Sequence, residues 1–175
     1  MKKIILITGG QRSGKSMYAE RLALSMTDQP IYFATARIWD EEFKERVKRH
    51  QARRGDNWTN IEEEKYLSQH TIYNKVCVVD CITLWCTNFF FDANQNNPKE
   101  PVIDEALDAI KKEFDLFTAQ DATFIFVTNE IGSGGVSDNV VQRRFTDMEG
   151  WMNQYVASKA DEVVLMVSGI PVKIK

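Results

Sequence analysis

Residues 8–16 read TGGQRSGKS, directly after the apolar run IILI and directly before MYAERLALSM. That order constrains the fold more than any other feature of the chain. An apolar strand must end, turn over a glycine-rich loop and start a helix within a few residues. Glycines permit positive φ and let a backbone approach another group closely. The spacing Gly-x-x-x-x-Gly-Lys-Ser is met by Gly9, Gly14, Lys15 and Ser16. A turn kept glycine-rich for steric reasons alone is the plain alternative. The agreement of strand, loop, Lys-Ser pair and helix argues instead for a phosphate cradle, or P-loop.

The cradle has a definite physics. The N–H groups of Gly9, Gly10, Gln11, Arg12, Ser13 and Gly14 face the anion together with the helix N-terminus. Lys15 reaches the β- and γ-phosphates, and the Ser16 hydroxyl ligates Mg²⁺. A magnesium site of this kind usually takes a carboxylate from another strand end. Asp80 closes the run VCVVD and is the candidate, with an N-cap on the following CITLWCTNFF as a compatible alternative. Glu130 follows FIFVTN at a further strand terminus, where ligands and catalytic groups gather in open parallel sheets. It is a candidate carboxylate for the substrate step, with a backbone-amide contact as the plainer role.

Apolar runs mark strands at residues 3–8, 31–34, 76–80, 123–128, 162–167 and 172–175. Helical spacing marks residues 15–26, 40–54, 102–119 and 139–159. VCVVD and FIFVT are continuously apolar, as strands covered on both faces must be. Strands alternating with helices predict a mostly parallel sheet flanked by helices, a three-layer α/β fold of the P-loop NTPase kind. The tail VVLMVSGIPVKIK reads as an antiparallel edge hairpin. Residues 92–101, DANQNNPKEP, read as a surface loop, because too little chain lies on either side for two cores. One domain over residues 1–175 is expected.

Charge narrows the partners. The net charge of −3 gives no global basic field for nucleic acid or a membrane surface. The apolar run at the N-terminus is too short for a secretory signal, and no stretch is long enough to span a bilayer. A cytoplasmic protein is expected. Cys77, Cys81 and Cys86 form no CxxC pair and read as buried small apolar residues.

The segment DEEFKERVKRHQARR is the other unusual stretch. Helical spacing puts Arg46, His50 and Arg54 on one face. A solvated basic face is the simple reading. The functional one is a guanidinium cage that keeps His50 neutral and nucleophilic while stabilising charge on a phosphoryl group. A histidine used in that way would form a phosphoramidate. The other histidine, His70, has no such company and reads as a surface or packing residue.

Taken together, ITGGQRSGKS, YFATARIWDEEFKERVKRHQARRGDNW, VVDCITLWCTN, VTNEIGSGGV and ADEVVLMVSGIPVKIK resemble one family nearly end to end. It is the bifunctional adenosylcobinamide kinase and adenosylcobinamide-phosphate guanylyltransferase family of cobalamin biosynthesis. The resemblance implies two activities. An NTP, GTP or ATP, phosphorylates adenosylcobinamide. GMP from GTP then passes through a histidine, which matches His50, to adenosylcobinamide phosphate. It also implies that Thr35, Ala36, Arg37, Gln51, Ala52, Arg53, Arg54, Glu62 and Asp80 join residues 9–16 in the nucleotide site. Asp80 would reach metal through water. A homotrimer is implied as well. Two rival readings remain at this stage: a monofunctional small-molecule P-loop kinase, and a non-catalytic nucleotide-dependent binding protein.

Overall fold

The computed structural model describes residues 1–38, 41, 45 and 54–175. Seven strands form one sheet in the order β3-β2-β4-β5-β1-β6-β7. In chain order these are β1 (Lys3–Gly9), β2 (Ile31–Ala34), β3 (Thr59–Glu62), β4 (Val76–Asp80), β5 (Thr123–Val127), β6 (Glu162–Val167) and β7 (Ile170–Lys173). All pairings are parallel except β6 with β7. Four α-helices lie among the described residues: α1 (Lys15–Met26), α2 (Ile82–Ala93), α3 (Asp104–Phe117) and α4 (Val140–Lys159).

The pleat sends alternate side chains into two cores. Ile4, Leu6, Cys77, Val79, Phe124 and Phe126 enter the larger one, with Trp85, Phe90, Phe114, Phe117 and Met152. Ile5, Ile7, Val78, Ile125 and Val127 point the other way, toward Ala19, Ala23, Tyr32 and Trp58. Helix α1 thus covers one face, and α2, α3 and α4 supply the other. The three cysteines are free and buried, as expected. His70 packs edge-on to Phe33 with its Nε2 3.4 Å from Glu63 Oε2.

Several expected boundaries move, each for a local reason. The helix expected over 102–119 spans Asp104–Phe117. The Asn94 side chain accepts from Val102 N–H at 2.7 Å and donates to its carbonyl at 3.0 Å, holding Val102 outside the helix. The loop expected from residue 92 starts later, because α2 runs on to Ala93. The last strand begins at Ile170, two residues early: Ser168 and Gly169 both have positive φ, and this two-residue turn leaves Pro171 inside the strand. An edge strand accepts such a proline. Strand β3 was not expected at all. The helix expected over 40–54 lies outside the described residues except at Glu41, Glu45 and Arg54, each of which is helical.

Candidate nucleotide site at the carboxyl edge of the sheet

The strand registers draw one row across the sheet: Glu62, Ala34, Asp80, Val127 and Ile7. Of the described residues expected in the site, all but Arg54 sit on this row or just beyond it; Arg54 lies further back, against Tyr32 and Asn60. The phosphate loop leaves β1 here. Gly9 has φ +146, and a Cβ on it would stand 2.6 Å from the Met166 carbonyl oxygen and 2.9 Å from Ser13 Oγ. Only glycine lets the loop pass β6 this closely. Gly14 caps α1 with φ +95, and the Tyr18 N–H closes the first helical bond to its carbonyl at 3.0 Å.

Gly10, Gln11 and Arg12 are exposed, and Ser13 and Ser16 are half-buried. Lys15 is buried, and its Nζ donates to the Gly10 carbonyl at 2.6 Å, folding across the loop. Burial lowers its pKa, opposed by the nearby Cys81 and Asp80. Ser13 Oγ is buried with no hydrogen-bond partner among the described residues. A buried hydroxyl without a partner is costly unless a ligand completes it. The Ser13 carbonyl accepts from Gly169 N–H at 2.9 Å, so the β6–β7 turn braces the loop from behind.

Asp80 ends β4, and its Oδ2 accepts from the Tyr32 hydroxyl at 2.8 Å. It does not cap α2: Cys81 occupies that position. Thr35 joins β2 to β4 by donating to the Cys81 carbonyl at 2.8 Å and accepting from Cys81 N–H at 3.0 Å. Ala36 follows, half-buried. Arg37 forks onto Asp92 at 2.8 and 3.1 Å and donates to Glu64 at 2.7 Å. These bonds raise the pKa of the guanidinium and bring the Asp92 carboxyl down to about 2.

Arg54 is buried. Its guanidinium lies 3.5 Å from the centre of the Tyr32 ring, and its Nε donates to Asn60 Oδ1 at 2.9 Å. Glu62 is exposed at the end of β3. Glu130 accepts from the Thr8 hydroxyl at 3.2 Å, and its own N–H donates to the Gly9 carbonyl at 3.1 Å. The structure thus brings Gly9–Ser16, Asp80 and Glu130 to one edge. It gives Arg37 and Arg54 partners within the protein. His50, Gln51, Ala52 and Arg53 lie outside the described residues.

Sequence reasoning missed the polar side chains behind this edge: Tyr32, Thr83, Asn129, Glu149 and Asn153. One signal was available for the last two. They stand beside Met148, Met152 and Val156 on the buried stripe of α4. Polar residues on an apolar stripe mark either a network or a site.

A mostly parallel sheet in which an inner strand, β1, runs into a glycine cradle, with lysine and carboxylates at the same edge, defines a P-loop nucleotide-binding protein. A prototypical ATPase from the type III secretion system of pathogenic bacteria shares the fold, with a TM-score of 0.58 at 12% identity. That match covers 94% of this chain and about half of the ATPase, 51%. The family model of cobinamide kinase / cobinamide phosphate guanyltransferase matches residues 5–174. The bifunctional adenosylcobalamin biosynthesis protein CobU of Escherichia coli K12 is 38% identical over 98% of this chain and 99% of its own. The bifunctional adenosylcobalamin biosynthesis protein CobP of Pseudomonas aeruginosa PAO1 is 34% identical, covering 97% and 96%. The chain belongs to the cobinamide kinase / cobinamide phosphate guanyltransferase family.

Proposed function

We propose that one phosphate loop serves two displacements on different phosphorus atoms. In the first, the aminopropanol hydroxyl of adenosylcobinamide attacks the γ-phosphorus of GTP or ATP. The phosphoryl group moves to that oxygen, the hydroxyl proton leaves to solvent or a carboxyl, and a nucleoside diphosphate departs. Glu130, fixed beside the loop by Thr8 and Gly9, is the carboxyl that orients the hydroxyl. In the second, His50 attacks the α-phosphorus of GTP and pyrophosphate leaves. The resulting phosphoramidate is then attacked by a phosphate oxygen of adenosylcobinamide phosphate, which gives adenosyl-GDP-cobinamide and frees the histidine.

One observation supports the phosphate-binding part above the rest. The loop offers a partnerless Ser13 hydroxyl and a lysine folded back on Gly10, a cradle poised for an anion. The same loop fits Mg²⁺, for which Ser16 would give a hydroxyl and Asp80 a carboxylate through water. When bound, the ion supplies positive charge against the phosphate oxygens. The chain's own work is to aim the phosphates with loop N–H groups, to neutralise charge with Lys15, and to hold the acceptor beside Glu130. Arg37 and Arg54, in the expected nucleotide set with Thr35, Ala36 and Glu62, act through the segments that they pin.

We further propose a homotrimer in the cytoplasm. Val167, Ile170, Val172 and Ile174 are exposed along the β7 edge, which supports burial against another copy. Among the described residues, no helix is long and apolar enough to cross a membrane. Sedimentation equilibrium tests the trimer. For the chemistry, the protein is incubated with Mg²⁺ and GTP labelled at the α-phosphate, then denatured. Protein-bound label that is acid-labile, base-stable and absent from His50→Ala is expected. Label from the γ-phosphate alone, or none, would overturn the transferase reading.

A further inference from the structure

Behind the site edge, five polar side chains meet between α2, the end of β5 and α4. The Thr83 hydroxyl donates to Glu149 Oε1 at 3.0 Å and accepts from Asn129 N–H at 3.1 Å. Thr128 Oγ1 lies 2.6 Å from Asn153 Oδ1 and 3.3 Å from Glu149 Oε1. Asn153 Nδ2 donates to the Asn129 carbonyl at 3.2 Å. Glu149, at 1% exposure, and Thr128, at 0%, are out of reach of water.

Counting protons decides how this cluster is charged. A backbone carbonyl only accepts, so the Asn153 amide must turn its nitrogen to Asn129 and its oxygen to Thr128. The single Thr128 proton then belongs to the short contact with Asn153. Nothing on Thr128 remains for Glu149, and their contact is either a clash of lone pairs or a bond whose proton comes from Glu149. A protonated carboxyl satisfies every member of the chain, and buried polar networks persist only when they are satisfied.

We propose that Glu149 is a neutral, proton-donating positioning residue. Its carboxyl proton completes a chain through Thr128 and Asn153 to Asn129, and this chain fixes the 128–130 segment against the phosphate loop. The far side of that segment is tied to β1, with Thr128 N–H on the Ile7 carbonyl and Glu130 N–H on the Gly9 carbonyl. Loss of the proton therefore loosens Glu130, the carboxyl that the kinase reading sets beside the acceptor hydroxyl. Burial raises the Glu149 pKa to about 7, against the bonds from Thr83 and Asn153, with Glu130 adding to the rise. The titratable groups acting on it are Glu130 beyond β5 and the Cys86 thiol of α2, itself raised chiefly by burial and further by Glu149.

The role in turnover rests on the kinase reading above; the protonation does not, so the test has two readouts. The first is infrared difference spectroscopy of the full chain between pH 6 and 8.5. A protonated carboxyl band that titrates in the wild type and vanishes in Glu149→Gln is expected. The second is kcat and KM for MgGTP with cobinamide over the same range. Wild-type kcat should fall at least threefold toward pH 8.5 with KM for GTP changing less than twofold. Glu149→Gln, whose side chain is neutral at every pH, should lack that alkaline limb. Glu149→Ala should be at least tenfold slower throughout, or fail to fold, in which case Glu149→Gln alone decides. A titrating band with no cobinamide turnover would overturn the function and sustain the neutral carboxyl. A missing band, or identical pH profiles for wild type and Glu149→Gln, overturns the proposal.

Discussion

Ser13 carries a hydroxyl that the folded chain leaves without a partner among the described residues. Such a group costs about 1–3 kcal/mol until something completes it. Ser13→Ala should therefore separate two properties. The nucleotide-free protein should melt at the same temperature or higher, while affinity for GTP should drop roughly 5- to 30-fold, about 1–2 kcal/mol. Thermal melts with and without nucleotide, alongside a binding titration, check both signs. Lys15 is a different case. Its ammonium is already desolvated, so it meets a phosphate at low solvation cost. Lys15→Met should keep the fold and lower kcat by roughly 10²–10³-fold, the usual loss for one positioned charge-stabilising donor. Steady-state kinetics at saturating GTP measures it. At Glu149 the pKa rises from 4.5 to about 7 on folding. The folded chain then holds a proton that the unfolded chain gives up. Its contribution is complete below pH 4.5, declines as pH climbs, and is spent above 7. Relative to Glu149→Gln, the wild type should lose roughly 3 kcal/mol over that window, to be read from urea midpoints at each pH.

Among the elements, the end of α2 is held to the loops after β2 and β3 by charge. Asp92 takes two bonds from Arg37 and one from Lys65. Its depressed pKa gives stability that is full above pH 4 and fades as pH drops toward 2. Asp92→Asn should cost about 1–2 kcal/mol at pH 7, discounted for partial exposure, and nearly nothing at pH 2. Denaturant melts at the two pH values test it. Element by element, the sequence was legible where burial is two-sided. IILI, VCVV and FIFV are apolar throughout because helices cover both faces, and all three lie in strands. TNIE was silent because β3 is an edge strand with mostly exposed side chains, so its pairing with β2 leaves no pattern in residue type. The phosphate loop was legible because its chemistry is local: nine consecutive residues contain it. The Glu149 network was not, because Thr83, Thr128 and Glu149 meet only once α2, β5 and α4 have packed. The start of α3 was misplaced for a similar reason, a distant Asn94 side chain overriding local helical spacing.

On the scale of the whole molecule, both cores share one sheet, and every strand of that sheet except β3 and β7 has two neighbours. Unfolding one face exposes the back of the other. Denaturation followed by tryptophan fluorescence and by far-ultraviolet circular dichroism should give coincident transitions. GTP at 100 times its Kd should raise stability by about 2.7 kcal/mol without separating the two curves. Curves that part company would mean that the two faces open independently.

The contact between Gly169 N–H and the Ser13 carbonyl links the turn of the last hairpin to the loop that follows the first strand. In a growing polypeptide the nine-residue signature is made well before its brace, which exists only once position 169 has been added. Firm grip on nucleotide thus waits for the turn of that hairpin. Chains cut short anywhere before that turn should circulate without competing for the cell's GTP.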